Sequence, residues 1–271
     1  MDAPLHAEHL DVPAELALLS IDMEKYSQIP EAKMSAARCD VDDIVATVLA
    51  ECRLPAPQDL REGCKDRGDG AILLFPPSVV ARLVDPLLGQ LNAALGRYER
   101  QRLASSPTLR LRVSVHVGPL SLPDHRGDAI NDTTRLLDSQ ATRHALSAAK
   151  DNGAFLAAAL SELVYQRAVH AGRTPALGPH HFLEAVAQVS DKPGFEQPCR
   201  IHVPGLTRPA VRPYLIDAAS SATTPSSSAR SSDASTASGA RSGGTFQFHG
   251  EVNDPTIANT IETLRIDRRR Q

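Results

Sequence analysis

Apolar and polar positions fall in blocks that outline an α+β chain. Residues 15–21, Glu-Leu-Ala-Leu-Leu-Ser-Ile, are apolar on both faces, the pattern of a strand in the middle of a sheet, and they end on an acid, Asp22. Across 31–52, Val41, Ile44, Val45, Val48, Leu49 and Cys52 recur at helical spacing and predict an amphipathic helix with Cys52 as core filler. Lys65-Asp66-Arg67-Gly68-Asp69-Gly70 runs into an apolar stretch, 71–75, and predicts a hairpin whose Gly-Asp-Gly turn holds a carboxylate at its tip. Leu83, Leu87, Leu91, Ala94 and Tyr98 form a second helical stripe, which Pro86 should break or restart with Asp85 as N-cap. Residues 109–118 are the cleanest strand, with Leu109, Leu111, Val113, Val115 and Val117 alternating with Arg110, Arg112, Ser114 and His116. The odd set should pack on helices. The even set predicts a polar face directed at a cleft, ligand or partner subunit, with His116 hydrogen-bonded within it.

After a loop at 119–128, Asn131 opens a predicted helix carrying Leu137, Ala141, Ala145 and Ala148, with Gly153 as its C-cap. Asn131 and Arg135 are four residues apart and so share one side of its first turn. Residues 155–160 read as a short strand, 161–170 as a helix capped by Ser161, and 182–189 with 198–203 as a closing strand pair. His180 and His181 fall in a loop. From about Ala218 to Gly244 the composition collapses into Ser, Ala, Thr and Gly, which cannot bury enough apolar surface to fold. The expected division is an N-terminal extension at 1–12, a folded domain at 13–206, a disordered linker at 207–244 and a short segment at 245–271 that docks a protein partner.

Composition narrows the function. Of the 271 residues, 42% are hydrophobic but only 4% aromatic, with no Trp, so the core is aliphatic. A net charge of −3 provides no basic field for nucleic acid. The four cysteines have no CxxC spacing, which argues for reduced thiols over a zinc site or disulfide framework. Residues 1–13 lack a charged-then-apolar signal pattern, and no run approaches the ~20 apolar residues of a membrane span, so a soluble cytoplasmic protein is expected. Two acids, Asp22 and Asp69, lifted to one sheet edge by neighbouring strands, suit a pair of divalent metals.

The order strand, helix, hairpin, helix, strand, helix is α+β of the ferredoxin-like kind. The residues at its edge resemble class III nucleotidyl cyclases of the compact actinobacterial type, over roughly 13–206. Asp22 followed by Met23-Glu24-Lys25-Tyr26-Ser27 looks like the family's first-metal motif, and Lys65-x-x-Gly68-Asp69 resembles the hairpin with the second metal carboxylate. Arg112-x-x-x-His116-x-Gly118 is similar to the central strand, and Asp124-x-x-Gly127-x-x-x-Asn131-x-x-x-Arg135 has the family's spacing. Ser114 stands where the family usually has glycine, adding a side chain to the cleft face.

This resemblance implies helices on one face of a mainly antiparallel sheet and a nucleotidyl cyclase activity, making a 3′,5′-cyclic nucleotide and pyrophosphate from an NTP. Asp22, Asp69 and the Met23 carbonyl would hold two Mg²⁺ or Mn²⁺ ions. Arg135 would stabilise phosphoryl charge and Asn131 would orient the ribose. Lys65 and Asp124 would read the base, a donor and acceptor that suit ATP, and Lys192 would contact the triphosphate. In the family each site is shared by two subunits, so a homodimer is implied. The other readings are a catalytically silent module that binds nucleotide or recruits a partner, and a cyclase with GTP or pyrimidine preference in a defence pathway.

Overall fold

The computed structural model describes residues 11–56, 59, 63–189, 192 and 194–221, with backbone alone at 216–221. Most of the expected linker, the C-terminal docking segment and nearly all of the N-terminal extension lie outside the described residues. In chain order the elements are β1 (Glu15–Met23), α1 (Glu31–Glu51), β2 (Cys64–Asp66), β3 (Gly70–Phe75), α2 (Val80–Val84), α3 (Leu87–Gln101) and β4 (Leu111–Pro119). There follow α4 (Asp128–Asp138), α5 (Gln140–Asp151), β5 (Leu156–Ser161), α6 (Glu162–Tyr165) with a π turn at Gln166–His170, β6 (Leu183–Gln188), β7 (Glu196–His202) and α7 (Arg208–Ser221).

The strands form one seven-stranded sheet in the order β2-β3-β1-β4-β5-β7-β6. Every pairing is antiparallel except β4 with β5. The first four strands, with α1 and α2–α3 as crossovers, make the expected ferredoxin-like unit, with β1 between β3 and β4. The parallel β5 follows a helical crossover, as parallel pairing requires.

Helices cover both faces of this sheet, which corrects the expectation of one covered face. Ala17, Leu19 and Ile21 of β1 and Leu156, Ala158 and Leu160 of β5 pack with α1 and α3. On the opposite face Leu18 joins Ile72, Leu74 and Ala129 and Ile130 of α4, while Ala157 and Ala159 pack with α5 and Val211 of α7. Strands apolar on both faces need a cover on each, because leaving one bare would expose a full row of aliphatic side chains. Cys52 is buried in the first of these clusters, as expected.

The second cover changes the fate of β4. Ser114 and His116 are buried, and Ser114 Oγ donates to the Thr133 carbonyl of α4 at 2.7 Å. Ser114 and His116 therefore lie under a helix and do not line an open cleft, whereas Arg112 stays half-buried at the end of β1. The hydroxyl at 114 becomes a tether for α4. His116 Nδ1 is buried with no hydrogen-bond partner.

Two helix boundaries also differ. The single helix expected from Asn131 to Gly153 starts earlier, at Asp128, and breaks at Ser139, whose Oγ accepts the Thr142 N–H and so caps α5. Pro86 separates α2 from α3 as expected, but Asp85 does not cap α3; its carboxylate accepts the Ala176 N–H at 2.6 Å. The linker does not begin at 207 either. Residues 208–221 are helical, Val211 is buried, and Tyr214 donates to Asp151 Oδ2 at 2.9 Å, so the folded domain runs past 206. Among the described residues no helix is long and apolar enough to cross a membrane.

Candidate active site

The site is built at the end of β1. Its neighbour β3 is reached through a two-residue turn, Gly68-Asp69, closed by the Arg67 N–H donating to the Gly70 carbonyl at 3.0 Å. Gly68 takes φ +84°, which a residue with a Cβ adopts only under strain. Gly70 sits opposite Asp22, and a Cβ there would lie 1.9 Å from the Ile21 carbonyl oxygen. Two glycines are thus what lets the turn press onto β1. The Met23 N–H then donates to the Asp69 carbonyl at 3.0 Å, carrying β1's ladder one step further.

This register brings Asp22 and Asp69 together. Asp22 is 5% exposed, and burial pushes its carboxyl up to about 6; Arg112 pulls the other way, while Asp69 raises it further by its charge and a hydrogen bond between the carboxyls. Arg112 lies directly opposite Asp22 on β4, and its Nε and Nη2 both donate to Asp22 Oδ2, at 3.0 and 2.5 Å. Arg112 Nη1 also reaches Asp138 Oδ1 at 3.5 Å, at the C-terminal end of α4, and Arg67 Nη2 lies 3.8 Å from the other Asp138 oxygen. An alternating set of charges, Asp22, Arg112, Asp138, Arg67, therefore joins β1, β4, α4 and the hairpin turn.

Two adjacent carboxylates, one of them buried and resisting ionisation, are a donor set that a hard dication satisfies. Asp69, with the Asp22 oxygen that Arg112 leaves free, would be the residues to hold one such ion. A second would need Oδ2, which Arg112 holds. Among the described residues no group of three or more His, Cys, Asp or Glu side chains is arranged so that it could hold a metal ion. Met23 buries its side chain in the core beside Asp22, at the position where the resemblance expects its carbonyl to act.

The other expected residues are spread over α4, the edge strand β2 and two loops. Asn131 is exposed in the first turn of α4. Arg135, one turn on, pairs with Asp132 at 3.6 Å, and its guanidinium carbon lies 4.9 Å from the ring centre of Phe195, with Nε buried and unpaired. Lys192 is exposed in the β6–β7 connection, three residues before Phe195, so Arg135 and that connection are brought close. Lys65 and Asp124 are not joined. Lys65 is exposed on the edge strand β2, level with Ser20 through Ile72. Asp124 is exposed in the loop after β4, which ends opposite Glu15, and it pairs with Arg126 at 3.5 Å.

Sequence reasoning placed Arg112 on the central strand but missed that it pairs with Asp22, and missed Asp138 as the bridge to α4. The signal is the register: with β1 beside β4 and Ser20 opposite Ser114, Asp22 must face Arg112.

No protein-family model matches the chain, and no curated protein matches it. Solved structures similar to it include a bacterial light-regulated adenylyl cyclase, at 12% identity and TM-score 0.45, over 77% of this chain and 59% of that one. Another is an adenylate/guanylate cyclase/hydrolase from Silicibacter pomeroyi, at 18% identity and TM-score 0.45, over 71% of this chain and 98% of that one. A second structure of a bacterial light-regulated adenylyl cyclase matches at 14% identity and TM-score 0.45, over 74% of this chain and 98% of that one.

Proposed function

We propose that the chain is a class III nucleotidyl cyclase that converts an NTP, ATP by preference, into a 3′,5′-cyclic nucleotide and pyrophosphate, working as a homodimer in the cytoplasm. The observation that carries this reading is the meeting of Asp22 and Asp69 at one end of β1. Two carboxylates held side by side in a partly buried position repel each other, and a fold with no use for them would replace one. The ordered series Asp124, Gly127, Asn131 and Arg135 supports the same reading.

In this proposal Asp22 and Asp69, with the Met23 carbonyl, hold Mg²⁺ or Mn²⁺, which when bound lowers the pKa of the ribose 3′-hydroxyl and screens the triphosphate. Asn131 and Arg135 of a second copy face those acids. Asn131 positions the ribose, and Arg135 places its positive charge against the phosphoryl oxygens as charge builds there. Lys192, close in sequence to the ring that Arg135 covers, adds a phosphate contact. The choice of ATP rests on Lys65 as donor and Asp124 as acceptor, which no hydrogen bond or ion pair joins within the chain.

Incubating the purified chain with Mn²⁺ and each of the four NTPs, with products identified by mass spectrometry, tests the reading. A cyclic nucleotide from ATP, lost in Asp69→Asn, is the expected result. Product that persists in Asp69→Asn overturns the metal assignment, and a cyclic product from another NTP alone overturns the base preference.

A second reading is favoured by the hold of Arg112 on Asp22. A chain whose buried acid is already neutralised from within can bind nucleotide or a partner without turning anything over. Absence of product with every NTP, in a chain that still binds one of them, is the outcome that selects it.

A further inference from the structure

The turn that carries Asp69 has little of its own to hold it. β2 is three residues long, is exposed throughout, and among the described residues pairs with β3 alone. A short edge hairpin is among the least stable parts of a sheet. Yet the proposed chemistry needs the Asp69 carboxylate fixed against Asp22.

One side chain reaches this turn from the far side of the connection. Arg38 projects from α1, and its Nη1 lies within donating distance of Asp66 Oδ1 at 3.0 Å, the Gly68 carbonyl at 2.8 Å and the Gly70 carbonyl at 3.0 Å. The two carbonyls belong to the residues on either side of Asp69. Nε of the same guanidinium donates to both oxygens of Asp42, one helical turn along α1, at 2.9 and 3.1 Å. Asp66 Oδ1 in turn accepts the Gly68 N–H at 3.0 Å. The Arg38 side chain is only 17% exposed. Asp42 and Asp66 offset its charge, so the guanidinium does not present an uncompensated positive charge to a cation bound nearby.

We propose that Arg38 is a positioning residue, which clamps the turn from Arg67 to Gly70 to α1 and so sets where the Asp69 carboxylate stands. It touches neither carboxylate of the Asp22–Asp69 pair and acts through the backbone around one of them. A planar fork suits this task, because several donors leave one rigid group; a lysine ammonium keeps the charge but cannot span Asp42 and the turn together. The part of the inference that concerns cations rests on the metal reading above, whereas the clamp itself does not.

The test uses the full chain with Arg38→Ala and Arg38→Lys. In metal-free buffer, amide hydrogen exchange is followed at Met23 and Arg67, whose N–H groups bond to the turn. Both variants are expected to exchange roughly tenfold faster there, with the amides of β4 and α3 unchanged. Mn²⁺ affinity, read from the free-ion electron paramagnetic resonance signal, is expected to fall by about tenfold, the usual cost of losing an outer support of a ligand. Saturating Mn²⁺ should restore turnover, a change in apparent metal affinity and not in kcat. Unchanged exchange at Met23 and Arg67 overturns the clamp, whatever the metal does. Faster exchange with wild-type affinity for Mn²⁺ overturns its role in placing Asp69. Faster exchange in a protein whose wild type takes up no Mn²⁺ sinks the metal reading and leaves the clamp standing, and the same holds for Arg38→Lys should Arg38→Ala fail to fold.

Discussion

Replacing Arg112 with Met tests the charge pairing on which the site is built. The two side chains of the Arg112–Asp22 pair are 13% and 7% exposed. Removing the guanidinium keeps most of the volume but leaves Asp22 buried beside Asp69 with no counter-charge, and it takes a partner from Asp138. Breaking one side of a buried pair costs about 3–5 kcal/mol, most of it the penalty of the charge left behind. Asn at position 22 in the same chain removes that stranded charge, so Asp22→Asn/Arg112→Met should be more stable than Arg112→Met alone, with a coupling of about 2–3 kcal/mol. Urea unfolding at pH 7.5 in EDTA, followed by far-UV circular dichroism, measures the four corners of the cycle, with an unchanged m-value as the check on two-state behaviour. Arg112→Met should lose less at pH 5 than at pH 8, because Asp22, already pushed up to about 6, can then take a proton and shed its charge. Additivity to within about 0.5 kcal/mol would show that the pair is not coupled and would refute the argument.

Three further outcomes are expected. His202, 3% exposed, has its pKa lowered to about 4 by burial, with Asp85 and the His181 carbonyl acting weakly the other way and the His181 ring adding to the fall. The folded state then stays neutral while the unfolded chain protonates near 6.5, so about 3 kcal/mol is present above that pH and lost as pH falls toward 4; thermal melts of His202→Gln should show a flatter slope across this window. Gly70→Ala would set a Cβ 1.9 Å from the Ile21 carbonyl oxygen, and calorimetry should find at least about 2 kcal/mol lost together with the Met23 amide's protection. Truncation after residue 206 removes buried Val211 and the Tyr214–Asp151 bond and should lower stability by about 2–3 kcal/mol, read as a drop in the urea midpoint.

The strands at 15–23, 70–75, 111–119, 183–188 and 196–202 and the helix at 31–51 were legible because each is a local pattern. A period of two or of 3.6 in apolar residues reports which face is buried before any partner is known. The convergence of Asp22 and Asp69 was legible too, since a carboxylate at a strand end and another at a hairpin tip must both leave the core at a sheet edge. The same pattern carries a second message. β1 is apolar on both faces, and that alone calls for α4 on the side expected to stay open.

What the chain's order of residues could not reveal is which groups meet across distance. Arg112 finds Asp22 because β1 and β4 pair in one register and not another, since a one-residue slip would turn every side chain on the strand to the other face. Arg38 finds the hairpin turn because α1 is packed at one height over the sheet, and α7 folds because a bare patch on α5 and the β6–β7 pair lies within its reach. A guanidinium has no periodicity to declare its partner. It bonds whichever acceptor the packing of the whole core sets about 3 Å away, and that packing is a property of the tertiary structure.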